Sequence, residues 1–345
     1  MRVTLLEPGD AAWSDALARA PHDVHHLPAY VALCARTTER GRPAAFRVDD
    51  AAGRTLLLPV VLRDVPGAPG RLDATSPYGY PGPSLGGAAP GDAFLPAALE
   101  ALVDDARRRG LVTLFVRLHP LLNAGWSALG DHGALVAHGE TVVVDLALSE
   151  AEQWRQTESG HRNQIHRGAR AGLRASFDAS WRHLAGFVRL YRETMRRVGA
   201  SPYYDFPDDY FADLRAALDG RLHLAVVEVD GALAAAGLFS RCGDVVQYHL
   251  AGMSADHAHH RPTKTLVHHA RLWAKAEGAR WLHLGGGVGA AADRLFAFKA
   301  GFSHLRRTFE TWRVVLDPAA HAALCAARGV PEADRAGFFP AYRRG

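Results

Sequence analysis

Between residues 223 and 316 the chain sets apolar runs and helical patterns in an order that few folds accommodate. The runs at 223–229, 232–240 and 245–250 read as three strands in quick succession. The first two meet at Asp230-Gly231, a strong hairpin signal because such turns need positive φ. A helix is then expected at 262–277, opening on Pro262, followed by a strand at 281–284, a helix at 291–300 and a last strand at 306–316. The succession specifies an α/β unit with a mixed sheet.

The preceding part is also mixed α/β. A strand is expected at 3–6, helices at 10–20 and 28–36, a hairpin from 44–48 and 55–61, a helix at 92–109 closed by Gly110, and strands at 111–118 and 141–146. Residues 74–83 carry too much Pro and Gly for a regular element. Ser149-x-x-Glu152 is a capping box that opens a second unit, with helices expected at 151–158, 162–171, 181–198 and 208–218. A length of 345 residues accommodates two ordinary domains. We place the first at 1–147 with a tail returning at 317–345, and the second at 148–316.

Composition narrows the class of protein. Hydrophobic content of 48% and charged content of 22% are those of a soluble globular chain, and a net charge of +4 excludes a polybasic tail protein. Cys34, Cys242 and Cys325 are scattered outside any metal spacing, and His257, His259 and His260 lack partners at ligand spacing, so no metal is expected. Residues 1–13 lack a basic and then apolar leader, and no apolar run approaches 18 residues. The expectation is a cytoplasmic protein without a membrane span.

Lys299 is the first candidate for chemistry. Only three lysines stand among 40 basic residues, the other 37 being arginine, and this one lies within the apolar segment Phe298-Lys299-Ala300-Gly301-Phe302. A compact ammonium suits a developing oxyanion, whereas a guanidinium suits bidentate pairing; a solvated helix lysine fits the position as well. Gly285-Gly286-Gly287 and Gly289 lie after a strand and before a helix, which fits either close approach of a substrate or a plain loop. Asp293 begins that helix, as a cap or as a partner of Lys299. Tyr248 and His249 sit side by side on a strand, so alternation lets one of them face a given cleft.

Positive charge is concentrated in two stretches. No acid lies between Glu158 and Asp178, where Arg162, Arg167, Arg170 and Arg174 occur with His161 and His166; Arg162, His166 and Arg170 fall on one helical stripe. None lies between Asp256 and Glu277, where Arg261, Lys264, Arg271 and Lys275 occur. Such faces suit phosphates. The helix start at His260-Arg261-Pro262-Thr263-Lys264 contains no glycine.

Together these segments resemble the FemABX-like branch of the Gcn5-related N-acetyltransferase (GNAT) superfamily. The resemblance is carried by Leu284-Gly285-Gly286-Gly287 with Asp293-x-Leu295 and Phe298-Lys299-x-Gly301-Phe302-Ser303, and by Ser76-Pro77-Tyr78-Gly79-Tyr80-Pro81-Gly82-Pro83. Tyr191-x-x-Thr194 with Arg197, Tyr204, Phe206 and Tyr210, Tyr248-His249-Leu250-Ala251-Gly252, Arg162-x-x-Ile165 and the ending Phe339-Pro340-x-Tyr342-Arg343 are similar as well. It implies tandem GNAT-like domains, and the interval from Gly172 to Trp181 leaves no room for the coiled-coil arm of some members. It implies transfer of an aminoacyl group from an aminoacyl-tRNA to an amine of a small peptide, natural product or peptidoglycan precursor, without a resident cofactor. The roles then expected are Lys299 on the oxyanion, Asp293 orienting it or receiving the amine proton, and Tyr248 or His249 as the alternative proton relay. Arg162, Arg167, Arg170, Arg261 and Lys264 would hold donor phosphates, and Tyr78, Tyr80, Arg197 and Tyr204 the acceptor. The alternative on the same fold is an N-acyltransferase using a CoA thioester.

Overall fold

In a computed structural model, which describes residues 1–332 and 337–344, the chain forms two compact units, 1–138 with 308–345 and 139–307. In chain order the elements are β1 (Arg2–Leu6), α1 (Ala11–Leu17), α2 (Pro28–Thr37), β2 (Arg42–Asp49), β3 (Thr55–Asp64), β4 (Leu72–Thr75), β5 (Ser84–Gly86), α3 (Phe94–Arg108), β6 (Leu111–Arg117) and β7 (Ala134–Asp145). There follow α4 (Glu150–Gln156), α5 (Ser159–Arg170), β8 (Arg174–Phe177), α6 (Leu184–Val198), α7 (Tyr210–Ala217), β9 (Leu222–Val229), β10 (Ala232–Cys242) and β11 (Val245–Met253). The chain continues through α8 (Pro262–Ala276), β12 (Trp281–Gly285), α9 (Arg294–Ala300), β13 (Arg306–Val315) and α10 (Pro318–Ala327). The two units divide inside β7 and β13, whereas the sequence reading cuts at 147/148 and 316/317, where those strands end. Turn residues mark the ends of a strand and carry no sign of a division along it.

In the first unit β1-β2-β3-β4 is an antiparallel run, β6 joins β4 in parallel, and β13 joins β6 antiparallel through Thr311–Val315. β3 is buried on both faces. Leu56, Leu58 and Val60 point with Phe46 into a core shared with Leu95, Leu99 and Leu102 of α3, while Leu57 and Val61 point with Ala45 toward Trp13 and Val31. The period of two sorts one strand into two cores. The tail is fastened here: Tyr342 is 1% exposed, its hydroxyl donates to Asp73 at 2.9 Å, and Arg343 Nε donates to the same carboxylate. Residues 333–336 and 345 of that tail lie outside the described residues.

In the second unit the sheet order is β8-β9-β10-β11-β12-β7, antiparallel except for the parallel pair β11–β12 that α8 connects. Leu266, Val267, Ala270 and Ala274 of α8 cover one face with Ile165 of α5. Aromatic residues of α6, α7 and the segment between them cluster together, with Phe206 stacked on Tyr210 at 4.0 Å and Tyr191 on Phe206 at 6.1 Å. The longest helices among the described residues, α3, α6 and α8, run 15 residues each, so none is a coiled-coil arm. Two local differences from the sequence reading stand out. Arg174–Phe177 forms an edge strand that four residues could not announce, and α9 begins at Arg294 because Asp293 is its N-cap.

Candidate functional site

The second unit opens a wedge in its own sheet. β11 and β12 pair only over Val245–Gln247 and Trp281–His283, although β11 runs on to Met253 and β12 to Gly285. A buried bond from His283 Nδ1 to Gln247 Oε1, 2.6 Å, closes the last paired step. Just beyond it β11 carries a bulge: Leu250 pairs with Leu238 and Tyr248 with Phe239, leaving His249 as the extra residue. Parallel strands that part at their carboxyl ends leave backbone groups unpaired and are a usual place for a ligand.

Lys299 lies at this opening. Its side chain reaches from the last turn of α9, is 9% exposed, and donates from Nζ to the carbonyl of Gly286 at 2.6 Å, immediately after β12. Nζ also stands 6.0 Å from the centre of the Tyr248 ring, which stacks on Phe239. Burial brings the ammonium down to about 8, against the opposing pull of the Asp293 carboxylate. The surface-lysine reading is thereby excluded. Tyr248 thus stands beside Lys299, and the bulge interrupts the alternation from which the sequence reading argued. Burial pushes the Tyr248 phenol up, so it keeps its proton through the neutral range.

Asp293 is the cap that sets α9. Its Oδ1 accepts from Phe296 N–H at 2.8 Å and its Oδ2 from Val288 N–H at 3.0 Å. Burial alone would raise this carboxyl, but those bonds and the Lys299 charge hold it below the usual range. The glycine run has a structural cause at Gly287, where a Cβ would lie 2.1 Å from the Ala291 carbonyl and 2.4 Å from Asp293 Oδ1. Close approach of the chain's own backbone and carboxylate therefore accounts for that glycine.

The basic stretches separate into four kinds of residue. Arg167 and Arg170 are exposed on α5 and, with Asn163 and His166, line an open concavity of about 680 Å³. Arg261, in the left-handed region at φ 56°, is exposed at the start of α8. Arg162 departs from the stripe expected of it: its guanidinium turns back onto the carbonyls of Trp154, Arg155 and Thr157, closing the end of α4. Lys264 is half-buried and bonded to His161, with its ammonium lowered by burial and by Arg261. Arg271 is 2% exposed, bonded to His268 and set over Trp154, so it is an interior group and not part of a phosphate face.

The residues expected on the acceptor side fall in both units. In the second, Arg197 is exposed and donates to the Met253 carbonyl at the end of β11, at 3.3 Å, while Tyr204 receives the Tyr191 hydroxyl on its carbonyl at 2.9 Å. In the first, Tyr78 accepts on its carbonyl from Tyr30, and the Tyr80 ring meets His25, His119 and Phe309 edge-on. Behind Tyr80 lies a buried group that sequence reading missed. Asp23, fully buried, is held by His119 at 3.2 Å and His25 at 3.3 Å. Burial would raise the Asp23 carboxyl, yet these two imidazoles hold it well below its usual value. Only the run His22-Asp23-Val24-His25-His26 hints at this in the sequence; His119 is brought in by the fold.

Among the described residues no group of three or more His, Cys, Asp or Glu could hold a metal, and no helix is long and apolar enough to cross a membrane.

Residues 155–299 match the family described as an acetyltransferase (GNAT) domain. None of the curated proteins is similar to the chain in sequence. Among solved structures, FemX is similar at a TM-score of 0.70 with 14% identity, over 94% of this chain and 99% of that one. L-PGS from Bacillus licheniformis is similar at 0.56 with 15% identity, over 93% and 97%. The fold is a tandem GNAT fold of the Fem type, and its second unit is an acyltransferase domain.

Proposed function

We propose that this acyltransferase of tandem GNAT fold forms an amide bond by passing an aminoacyl group from the 3′ end of an aminoacyl-tRNA to the amine of a small acceptor. The observation that carries the reading is the buried ammonium of Lys299 at the parting of β11 and β12. Acyl transfer needs a positive group where charge appears on the carbonyl oxygen, and a desolvated ammonium answers that need better than a hydrated one. In the proposed step the acceptor nitrogen attacks the ester carbonyl carbon, and the carbonyl π electrons move onto oxygen beside Lys299. Collapse re-forms the C=O bond and breaks the ester C–O bond. The amine proton reaches the departing ribose oxygen through Tyr248, whose phenol gives up one proton and receives another. Asp293 fixes α9 and tempers the Lys299 charge. Arg167, Arg170, Arg261 and Lys264 supply positive charge for the RNA phosphates. Arg197 and Tyr204, on the same unit as Lys299, are the groups we assign to the acceptor, a small peptide, natural product or peptidoglycan precursor.

A CoA thioester is the competing donor, favoured by the GNAT match and by the N-terminus of α8. Against it, residues 260–264 contain no glycine, and Pro262 removes one of the N–H groups that a pyrophosphate would use. The test supplies charged tRNA and an amine-bearing peptide and reads the amide by mass spectrometry, beside a calorimetric titration with acetyl-CoA. Acceptor-dependent consumption of charged tRNA supports the reading. Micromolar acetyl-CoA binding with no use of charged tRNA overturns it.

A further inference from the structure

The glycine of Phe298-Lys299-Ala300-Gly301-Phe302 has a specific neighbour. A Cβ at Gly301 would stand 2.4 Å from the His161 ring, so the absence of a side chain lets an imidazole of α5 lie against the end of α9. His161 is buried at 6% exposure and packs edge-on against Phe302 at 4.8 Å. Its two nitrogens have opposite partners. Nδ1 faces the ammonium of Lys264 at 3.1 Å, and Nε2 faces the Phe298 carbonyl at 2.9 Å. An ammonium only donates and a carbonyl only accepts, so one tautomer satisfies both: Nδ1 accepts and Nε2–H donates. The Glu158 N–H adds a second tie to the same turn, donating to the Gly301 carbonyl at 2.9 Å.

We propose that His161 is a positioning residue that links a donor phosphate held by Lys264 to the helix carrying Lys299. The link rests on the roles given to Lys264 and Lys299 above and adds a path between them. The Lys264 ammonium has three N–H groups, and the bond to His161 uses one, leaving donors for a phosphate. From there the path runs through the fixed imidazole to the carbonyl of Phe298, the residue before Lys299. Sequence reading counts His161 as part of a positive stretch. In the structure it is a neutral connector: burial, the largest cause, lowers its pKa together with the Lys264 charge, and outweighs the opposing pull of the Phe298 carbonyl and of the Glu158 carboxylate 3.8 Å from Nδ1.

The scarcity of lysine makes the link measurable without turnover. With ¹³Cε-labelled lysine the protein shows three side-chain signals, from Lys264, Lys275 and Lys299, which Lys264→Arg and Lys275→Arg assign. The Lys299 signal is sensitive to small displacements because Nζ lies 6.0 Å from the Tyr248 ring. Titration with inorganic pyrophosphate should move the Lys264 and Lys299 signals with one midpoint in the wild type. In His161→Ala the Lys264 signal should move alone. In the transfer assay His161→Ala should lower kcat by about 10²-fold, the scale of a small misplacement of a reacting group. His161→Gln, whose amide N–H can still reach Phe298, should recover most of that loss, and Gly301→Ala should reproduce it. A Lys299 signal that stays still while Lys264 moves overturns the link and leaves the phosphate role of Lys264 standing. A Lys264 signal indifferent to pyrophosphate overturns that role, and the link with it. Wild-type kcat in His161→Ala overturns the positioning role.

Discussion

Replacing Lys299 with methionine should make the protein more stable and nearly inactive. The ammonium is 9% exposed and titrates at about 8, where an exposed lysine has 10.5. At about 1.4 kcal/mol per tenfold, holding the charged form in this niche destabilises the folded state by roughly 3 kcal/mol. The sign follows from proton binding. The unfolded chain keeps this proton up to about pH 10.5, and the folded chain releases it near 8, so between those values the unfolded state binds more protons and stability rises with pH. Below pH 8 the penalty is present in full. Met fills a similar volume with no charge. Methionine also leaves the Gly286 carbonyl without this donor, at a cost of about 1–2 kcal/mol, so for a unit the size of 139–307 the net gain at pH 7 should raise the thermal midpoint by about 2–8 °C. The gain over wild type should shrink as pH approaches 10.5. Calorimetric scans at pH 7 and 10 measure it, and transfer should fall by about 10²–10³-fold, the usual loss for one oxyanion donor. A variant that melts at or below the wild-type temperature at pH 7, or whose advantage ignores pH, refutes the argument that this charge is held against its own solvation. Near-normal turnover refutes its role in the reaction.

Three other outcomes follow from the geometry. Tyr248→Phe keeps the ring beneath Lys299 but removes the phenol, so kcat should fall by about 10²-fold with little change in donor KM; an unchanged kcat in steady-state assays removes Tyr248 as the relay. Arg167→Ala with Arg170→Ala should raise the KM for charged tRNA by about tenfold and flatten its salt dependence, leaving the melting temperature within about a degree; an unaltered dependence on KCl shows that α5 does not meet the RNA. Tyr342→Phe removes one donor from buried Asp73, which keeps Arg63 and Arg343, and should cost about 1–2 kcal/mol in urea unfolding. No loss there means that the tail does not brace the first unit.

What was legible in the sequence was what neighbouring residues decide. The hairpin at Asp230-Gly231, the capping box at Ser149 and Glu152 and the Pro262 helix start each depend on a few adjacent positions, and each stands in the structure. Short edge strands such as Arg174–Phe177 escaped because their identity comes from the partner strand. The bulge at His249 escaped for a related reason: two residues stand against one only once β10 is in register beside β11. Buried polar groups were the least visible. Nothing near His119 announces that Asp23, 96 positions away, requires it. Arg162 and His161 fail as simple positive charges in opposite ways, one turned back on the end of the preceding helix and the other held neutral between an ammonium and a carbonyl.

The lysine was identified by its rarity, and rarity says nothing about environment. The environment comes from three constraints that the sequence lists separately: a strand that parts from β11 after His283, a glycine that leaves room for the Asp293 carboxylate, and a second glycine that admits His161. Each fixes a different part of α9. Asp293 sets where the helix starts, the Gly286 carbonyl receives its ammonium, and His161 holds the turn from which that ammonium extends. A helix of only seven residues has little stability of its own. Its geometry is therefore supplied from outside by these contacts, and loosening any one should disturb Lys299 before it disturbs the fold.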